Sequence, residues 1–458
     1  VEEEVGMADA FRIEHDTMGE MRVPADTLYG AQTARAVENF PISRLRFPRA
    51  FIRALALIKS AAARVNGGMG QLPADKAAAI ERASEEVLAG GHDAQFVVDI
   101  FQTGSGTSTN MNANEVIGRL AGAHANDDVN RGQSSNDVIP SALHIAAAET
   151  VHRDLLPAMD VLDASLARKA HEFANVIKIG RTHLQDAVPM RLGQEFSGYQ
   201  RQVAASRERI ESALAGGVYE LALGGTAVGT GLNAPPGFAA AVIREIARRT
   251  ELPFIEARNH FEAQAAKDAV VFLSGALRTY AIALTKIAND IRWLGSGPRC
   301  GLGELRLPAV QPGSSIMPGK VNPVIAESVL MVCAQVVGYD ATIAWSGAAG
   351  NFELNVMMPV MAYDLLESVV LLAAASRNFA GRLVDTLAAD SGRAGAFVEQ
   401  SLAMGTALVP EIGYEKAAAL VKEAYQAGKT VREVAREKSG IPEERLNEAL
   451  DPTRQSGQ

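Results

Sequence analysis

A chain of 458 residues, 48% apolar and 21% charged, is too long for one small core and has a normal globular balance, so two to four domains are expected. The net charge of −9 is spread along the chain and leaves no basic stripe for nucleic acid. Two cysteines, Cys300 and Cys333, form no CxxC pair and are too few for a four-cysteine iron–sulfur cluster, which fits a reducing cytoplasm.

The N-terminal "VEEEVGMADAF" is acidic and lacks the apolar stretch of a secretory leader. Residues 1–135 read as a first domain of short helices and irregular segments. Residues 136–390 are dominated by helical periodicity. Val151, Leu155, Met159, Leu162 and Leu166 mark one helix, with an irregularity expected at Pro157. Leu192, Phe196, Tyr199, Val203, Ile210 and Leu214 mark a second. The longest uncharged run, Leu221 to Ile243, contains "GGTAVGTGLNAPPG", which breaks any membrane-spanning helix, so a soluble protein with no membrane partner is expected. A heptad seam through Val270, Leu273, Leu277, Tyr280, Leu284, Ile287, Ile291 and Leu294 lies in a proline-free stretch from Glu262 to Gly295. It predicts one helix about 50 Å long.

Val324 to Trp345 is apolar almost all round, with Glu327 and Asp340 its only charges, and predicts burial on every side, other subunits included. Met358, Met361, Leu365, Val369, Leu372 and Ala375 mark a fifth helix. Five long helices predict a bundle. Residues 391–458 read as a small domain of mixed helix and loop. Strand signals are weak and local.

Four polar islands interrupt this pattern: "GSGTSTNMNANEV" (Gly104 to Val116), "GQSSND" (Gly132 to Asp137), "GRTHLQDAVPM" (Gly180 to Met190) and "GSSIMPGKVNP" (Gly313 to Pro323). Three of them end where a helix is expected to start. Ser134, Ser135 and Asn136 are good N-cap types, and Asn322 with Pro323 suits the start of the Val324 helix. Helix N-termini present free N–H groups and attract anions, so several of them with Lys320 make a site for a small dicarboxylate. Taken singly, each of the first three islands has a plainer reading as loop, cap or surface histidine. The fourth is harder to read as mere connection. It is neither a P-loop, since Val321 follows Lys320, nor a GxSxG elbow, and no HExxH or histidine cluster suggests zinc.

"GSSIMPGKVNP" resembles the signature of the fumarase/aspartase superfamily, and the chain from "RIEHDTMGEMRVP" to "GYEKAAALVKEA" is similar to class II fumarases. "GKVNP", "RTHLQDAVP" and "NDDVN" favour fumarases. Aspartate ammonia-lyases, the alternative, typically carry alanine at the position of Gly319 and glutamine at that of His183. The resemblance implies a mainly α, three-domain fold whose five-helix bundle forms a twenty-helix core in a homotetramer, with active sites shared between subunits. It also implies a cytoplasmic hydro-lyase without metal or other cofactor, interconverting fumarate and (S)-malate in the tricarboxylic acid cycle through an aci-carboxylate.

By the same resemblance Ser314 is the base for the carbon-bound proton, His183 serves the oxygen side, and Glu327 pairs with His183. Ser105, Gly106, Thr107, Ser134, Ser135, Asn136, Thr182, Ser315, Lys320, Val321 and Asn322 bind the two carboxylates, and the fourth island is a flexible lid. Fumarases carry "HPND" at a secondary dicarboxylate site. Here it reads "HAND", His124, Ala125, Asn126 and Asp127, and that departure weakens the case for the site.

Overall fold

The computed structural model describes residues 11–457. The acidic N-terminal stretch read above lies mostly outside them. The fold is mainly α, as expected, with small two-stranded ladders between helices. By contacts it divides into two compact units. One contains the chain up to Pro157, Glu208–Thr279 and Ala334–Ala373; the other contains Ala158–Arg207, Tyr280–Cys333 and the chain from Ala374 on.

The first unit opens with an antiparallel hairpin, β1 (Phe11–Asp16) and β2 (Gly19–Pro24), followed by α1 (Ala31–Asn39), α2 (Arg49–Gly68), α3 (Ala74–Ala89) and α4 (Thr107–Ala121). At 20 residues, α2 is no short helix. It packs on α3 and on α5 (Ser135–Thr150), and its Phe51, Leu55 and Ile58 are fully buried. Every residue of α2 from Ala54 to Ala63 is buried, and a helix enclosed in this way takes its stability from its neighbours.

A π-turn over Val151–Leu155 joins α5 to α6 (Leu156–Glu172). The irregularity expected at Pro157 therefore sits one turn earlier. Pro157 has no N–H for the carbonyl of Arg153, and its ring crowds that carbonyl; the widened turn accommodates both. In the second unit β3 (Ile177–Thr182) and β4 (Gln185–Arg191) form an antiparallel hairpin ahead of α7 (Leu192–Ala213). This hairpin is the third polar island.

After α8 (Phe238–Thr250) and the short α9 (His260–Ala265), the expected Glu262–Gly295 helix turns out to be interrupted. Ala266 is extended and α10 runs Asp268–Leu294. The break has a chemical cause. The buried Lys267 ammonium donates to the carbonyls of Ala263, Gln264 and Ala266 at 2.9, 2.9 and 2.7 Å. It thereby satisfies acceptors that a continuing helix would have used. The seam from Val270 to Leu294 is otherwise buried at every expected position.

α11 (Val324–Gly347) and α12 (Met358–Phe379) follow, and α13 (Ser391–Gln400) begins the C-terminal segment. There Val398, Leu408, Leu420, Val434 and Leu446 pack around Ile179 of β3. The sequence boundary at 135/136 falls one residue inside α5, and that at 390/391 falls at the start of α13. The two compact units instead divide the chain within α10, α11 and α12. These three helices have the length and hydropathy of membrane spans. Arg278 of α10 nevertheless pairs at 2.7 Å with the buried Asp340 of α11, as suits helices packed on helices. Along α11 only Ala326, Val329, Cys333, Val336, Asp340, Ile343 and Ser346 are buried, while Met331, Val337 and Trp345 are exposed. The expectation of burial on every side therefore does not hold within one chain.

Candidate active site

In the first unit the first two polar islands lie side by side. Gly106, at φ +73°, caps α4, and the hydroxyls of Ser105 and Thr107 sit 2.8 Å apart at that N-terminus. Gly104 must be glycine, because a β-carbon there would fall 1.7 Å from the carbonyl oxygen of Val356. The N–H of Thr109 donates to Gln102 Oε1 at 3.0 Å, a capping partner outside the island that the sequence reading did not single out.

Ser134 caps α5 in a capping box. Its Oγ accepts from the Asn136 N–H, and Asp137 Oδ1 accepts from the Ser134 N–H at 2.9 Å. Asp137 Oδ2 also accepts from the N–H groups of Gly224 and Thr226 at 2.8 and 2.9 Å. Asn136 Nδ2 donates to the Ala227 carbonyl at 2.8 Å. Ser135 Oγ accepts from Asn110 Nδ2 of α4 at 3.1 Å, so the two helix N-termini are tied to one another. Beneath them lies Lys59 of α2, fully buried, donating to Asn130 Oδ1 and Gln133 Oε1 at 2.9 and 3.0 Å. Burial pushes its ammonium down to about 7, partly opposed by the charge of Asp137.

The second unit carries the other two islands. Thr182 and His183 are exposed at the end of the β3–β4 hairpin, where His183 and Leu184 form a two-residue turn with φ of +56° and +61°. Two positive φ angles define the turn type that suits the twist of a hairpin, but it favours Asn and Gly. Neither residue here is of that kind, so the turn is strained, and strained backbone concentrates at functional sites. The hairpin is anchored one residue before its tip pair: Arg181 Nη1 meets the fully buried Glu304 carboxylate at 2.6 Å.

The fourth island is a loop with a closed neck. The Gly313 N–H donates to the Lys320 carbonyl at 2.9 Å, and Asn322 Nδ2 donates to the Gly313 carbonyl at 2.7 Å. The Asn322 side chain therefore secures the loop rather than capping α11. Instead, the first intrahelical bond of α11 runs from the Glu327 N–H to the Pro323 carbonyl. Ser314 Oγ accepts from the N–H groups of Ile316 and Met317 at 3.2 and 3.0 Å. Two amides aimed at one hydroxyl oxygen stabilise negative charge on it. Ser315, Lys320 and Val321 are exposed on the same loop, and Glu327 is half-buried in the first turn of α11. Among the described residues no hydrogen bond or ion pair joins His183 to Glu327.

The "HAND" segment forms a π-turn, Ala125–Val129, on the surface of the first unit. His124 Nδ1 accepts from the Asp127 N–H at 3.1 Å, and the His124 N–H donates to Asp128, which Lys76 holds at 2.9 Å.

Comparison with known proteins decides the family. A family model described as "Lyase" matches residues 19–338, and one described as "Fumarase C C-terminus" matches residues 405–454. The chain belongs to the class II fumarase family. It is 54% identical over 444 residues to a fumarate hydratase class II of Corynebacterium glutamicum, covering 96% of this chain and 94% of that one. A recombinant class II fumarase of Schistosoma mansoni superimposes with a TM-score of 0.95 at 41% identity, covering 98% and 99% of the two chains. A Brucella melitensis fumarate lyase:delta crystallin, solved bound to cobalt, gives 0.94 at 46%, covering 98% and 100%.

The residues that hold the class II fumarase islands in place were harder to find from sequence. Lys59 lies outside every polar island, and Asn110 and Asn130 lie in the stretches "GSGTSTNMNANEV" and "NDDVN" with no role read for either. One signal was available: Lys59 is the lone charge in the apolar run "LALIKSAAA" of α2, where a lysine is out of place unless paired.

Proposed function

We propose that the chain catalyses the reversible, stereospecific hydration of fumarate to (S)-malate, without metal, in the cytoplasm, as a step of the tricarboxylic acid cycle. The observation that carries this reading is the Ser314 turn. A serine is a poor base, but the N–H groups of Ile316 and Met317 aimed at its Oγ stabilise the alkoxide it must become to act as one. In the malate-to-fumarate direction the Ser314 alkoxide removes the carbon-bound proton, and the electron pair moves into the adjacent carboxylate as an aci-carboxylate. Lys320, Asn322 and the α4 and α5 N-termini receive that added charge. Protonated His183 then gives its proton to the departing hydroxide, which leaves as water. In the hydration direction every transfer reverses.

Ser105, Thr107, Ser134, Ser135, Asn136, Thr182, Ser315, Lys320 and Asn322 bind the substrate carboxylates. The Ser314 loop closes over the bound substrate as a lid. Glu327 tunes the basicity of His183, with the pair made between subunits of a homotetramer. The exposed Met331, Val337 and Trp345 on α11, a helix apolar all round, support that assembly.

Absorbance of the fumarate double bond, followed with purified protein and malate and with aspartate run alongside, tests the reaction. Release of fumarate from aspartate but not from malate would overturn it. Light scattering tests the assembly, with about four times the 48.4 kDa chain expected and a fully active monomer contradicting it.

A further inference from the structure

Ser135 contributes a hydroxyl at the N-terminus of α5, and the direction of its proton decides whether it can serve a carboxylate. A hydroxyl that donates inward offers a dicarboxylate only a lone pair, which repels it. One that accepts from the protein is free to donate outward.

We propose that Lys59, acting through Asn130 and Asn110, fixes the direction of the Ser135 hydroxyl so that its proton points to a substrate carboxylate. The inference rests on the reading of Ser135 as a carboxylate ligand given above. It begins from Lys59 in its charged form. The Lys59 ammonium has three protons and no lone pair, so both of its partners must present oxygens. Asn130 Oδ1 and Gln133 Oε1 face it at 2.9 and 3.0 Å.

Both amides are fixed a second time from their other ends. Asn130 Nδ2 donates to the Gln133 carbonyl at 3.0 Å, and Gln133 Nε2 donates to the carbonyls of Val129 and Arg131 at 3.1 and 3.3 Å. With its oxygen thus placed, Asn130 Oδ1 becomes the acceptor for Asn110 Nδ2 at 3.3 Å and for Asn114 Nδ2 at 3.2 Å. The Asn110 amide therefore turns its NH₂ toward Asn130, and the same NH₂ reaches Ser135 Oγ at 3.1 Å.

Ser135 accepts, and among the described residues its own proton has no acceptor. Lys59, Asn110 and Asn114 are 0% exposed, Ser135 is 9% exposed and Asn130 is half-buried, so bulk water competes little for the bond between Asn110 and Ser135. The cost is visible: the Oδ1 atoms of Asn110 and Asn114 lack donors. A buried amide oxygen left unsatisfied is unfavourable, and an amide flip would change its surroundings. The flip is opposed because it would set Asn110 Oδ1 against Asn130 Oδ1.

Asn110→Asp tests the proposal. The substitution keeps the shape but replaces the donor with an acceptor, which draws the Ser135 proton inward. The KM for fumarate is expected to rise about tenfold or more with kcat changed far less, the signature of lost ground-state binding. In a Ser135→Ala background the same substitution is expected to change KM less than about twofold, since there is no proton left to redirect. Equal effects in both backgrounds would overturn the proposal and leave Asn110 a structural residue. If Ser135→Ala alone left KM unchanged, the carboxylate role of Ser135 would fall first. Should Asn110→Asp fail to fold, a structure of the unaltered protein with fumarate decides the matter. Ser135 Oγ is expected to bridge Asn110 Nδ2 and a fumarate oxygen. Ser135 turned away from bound fumarate would refute the proposal, and fumarate bound elsewhere would refute the site itself.

Discussion

The side-chain amide of Asn322 donates to the carbonyl of Gly313 across 2.7 Å, closing a loop whose two ends are nine residues apart in sequence. Beside it the Gly313 N–H donates to the Lys320 carbonyl. The segment from Ser314 to Gly319 hangs from this neck, so Ser314 is placed by backbone bonds rather than by apolar packing. A β-carbon on Gly313 would lie 2.5 Å from the Lys320 oxygen and 2.9 Å from the Asn322 nitrogen. Gly313→Ala must therefore open the neck. Turnover is expected to fall on the order of a hundredfold, because displacing a catalytic group by about 1 Å has that effect. The melting temperature should barely move, since Ile316, at 82% exposure, shows how little of the loop is packed. Steady-state kinetics beside a thermal melt checks both, and near-normal turnover would show that the neck does not position Ser314.

Ser314→Ala and His183→Asn should separate two roles. Each is expected to lower kcat on the order of a hundredfold or more, the range for a positioned acid–base group. Fumarate binding should survive Ser314→Ala, because Thr107, Asn136, Lys320 and Asn322 remain. Calorimetric titration of the Ser314→Ala protein with fumarate measures this directly. Loss of binding along with turnover would make Ser314 a binding or folding residue and return the base to the search.

The long helices were legible because burial imposes a 3.6-residue period: every seam position from Val270 to Leu294 is buried. What broke the pattern was invisible to it. Lys267 ends α9 by binding three carbonyls, a side-chain-to-backbone interaction that no apolar periodicity records. The four islands were legible as departures from packing, and the family motif gave them roles. Their conformations were not. Asn322 has the right chemistry for an N-cap, yet its amide goes to Gly313, a partner nine residues back. The third island read as a polar stretch, whereas Ile177–Arg191 pairs into a hairpin with His183 at the tip, without the alternation of burial that would have announced its strands. Support for Ser135 comes from Lys59, 76 residues earlier, and such distant partners are fixed only by the packing of α2 against α5.

Leu184 occupies the left-handed region at φ +61° without a side chain suited to it, and it is 72% exposed. Glycine enters that region without steric penalty, whereas leucine is strained by about 1 kcal/mol. Leu184→Gly is therefore expected to hold or slightly raise thermal stability, although glycine substitutions usually lower it. If the strain serves to present His183, the same substitution should reduce kcat by several-fold through a looser tip. A melt and a kcat measurement on one preparation test the pair. A clear loss of stability would show that Leu184 is held by contacts beyond the single chain.

Asp364 of α12 is 5% exposed, and among the described residues no base faces its carboxylate. Its acidic and phenolic neighbours are Glu367 and Tyr363 on the same helix and Tyr339 on α11. Burial pushes the Asp364 carboxyl up to about 7, and the Glu367 charge adds to the effect. A carboxyl raised in this way binds a proton in the folded state that it has already released when unfolded. Its contribution to stability is complete below about pH 4 and is lost as pH rises toward 7. Asp364→Asn keeps the shape and removes the titration. The variant should melt several degrees above the parent at pH 8, with the gap closing as pH falls toward 5. Thermal melts across that range decide it. A variant less stable than the parent at pH 8 would mean that Asp364 is a paired anion in solution.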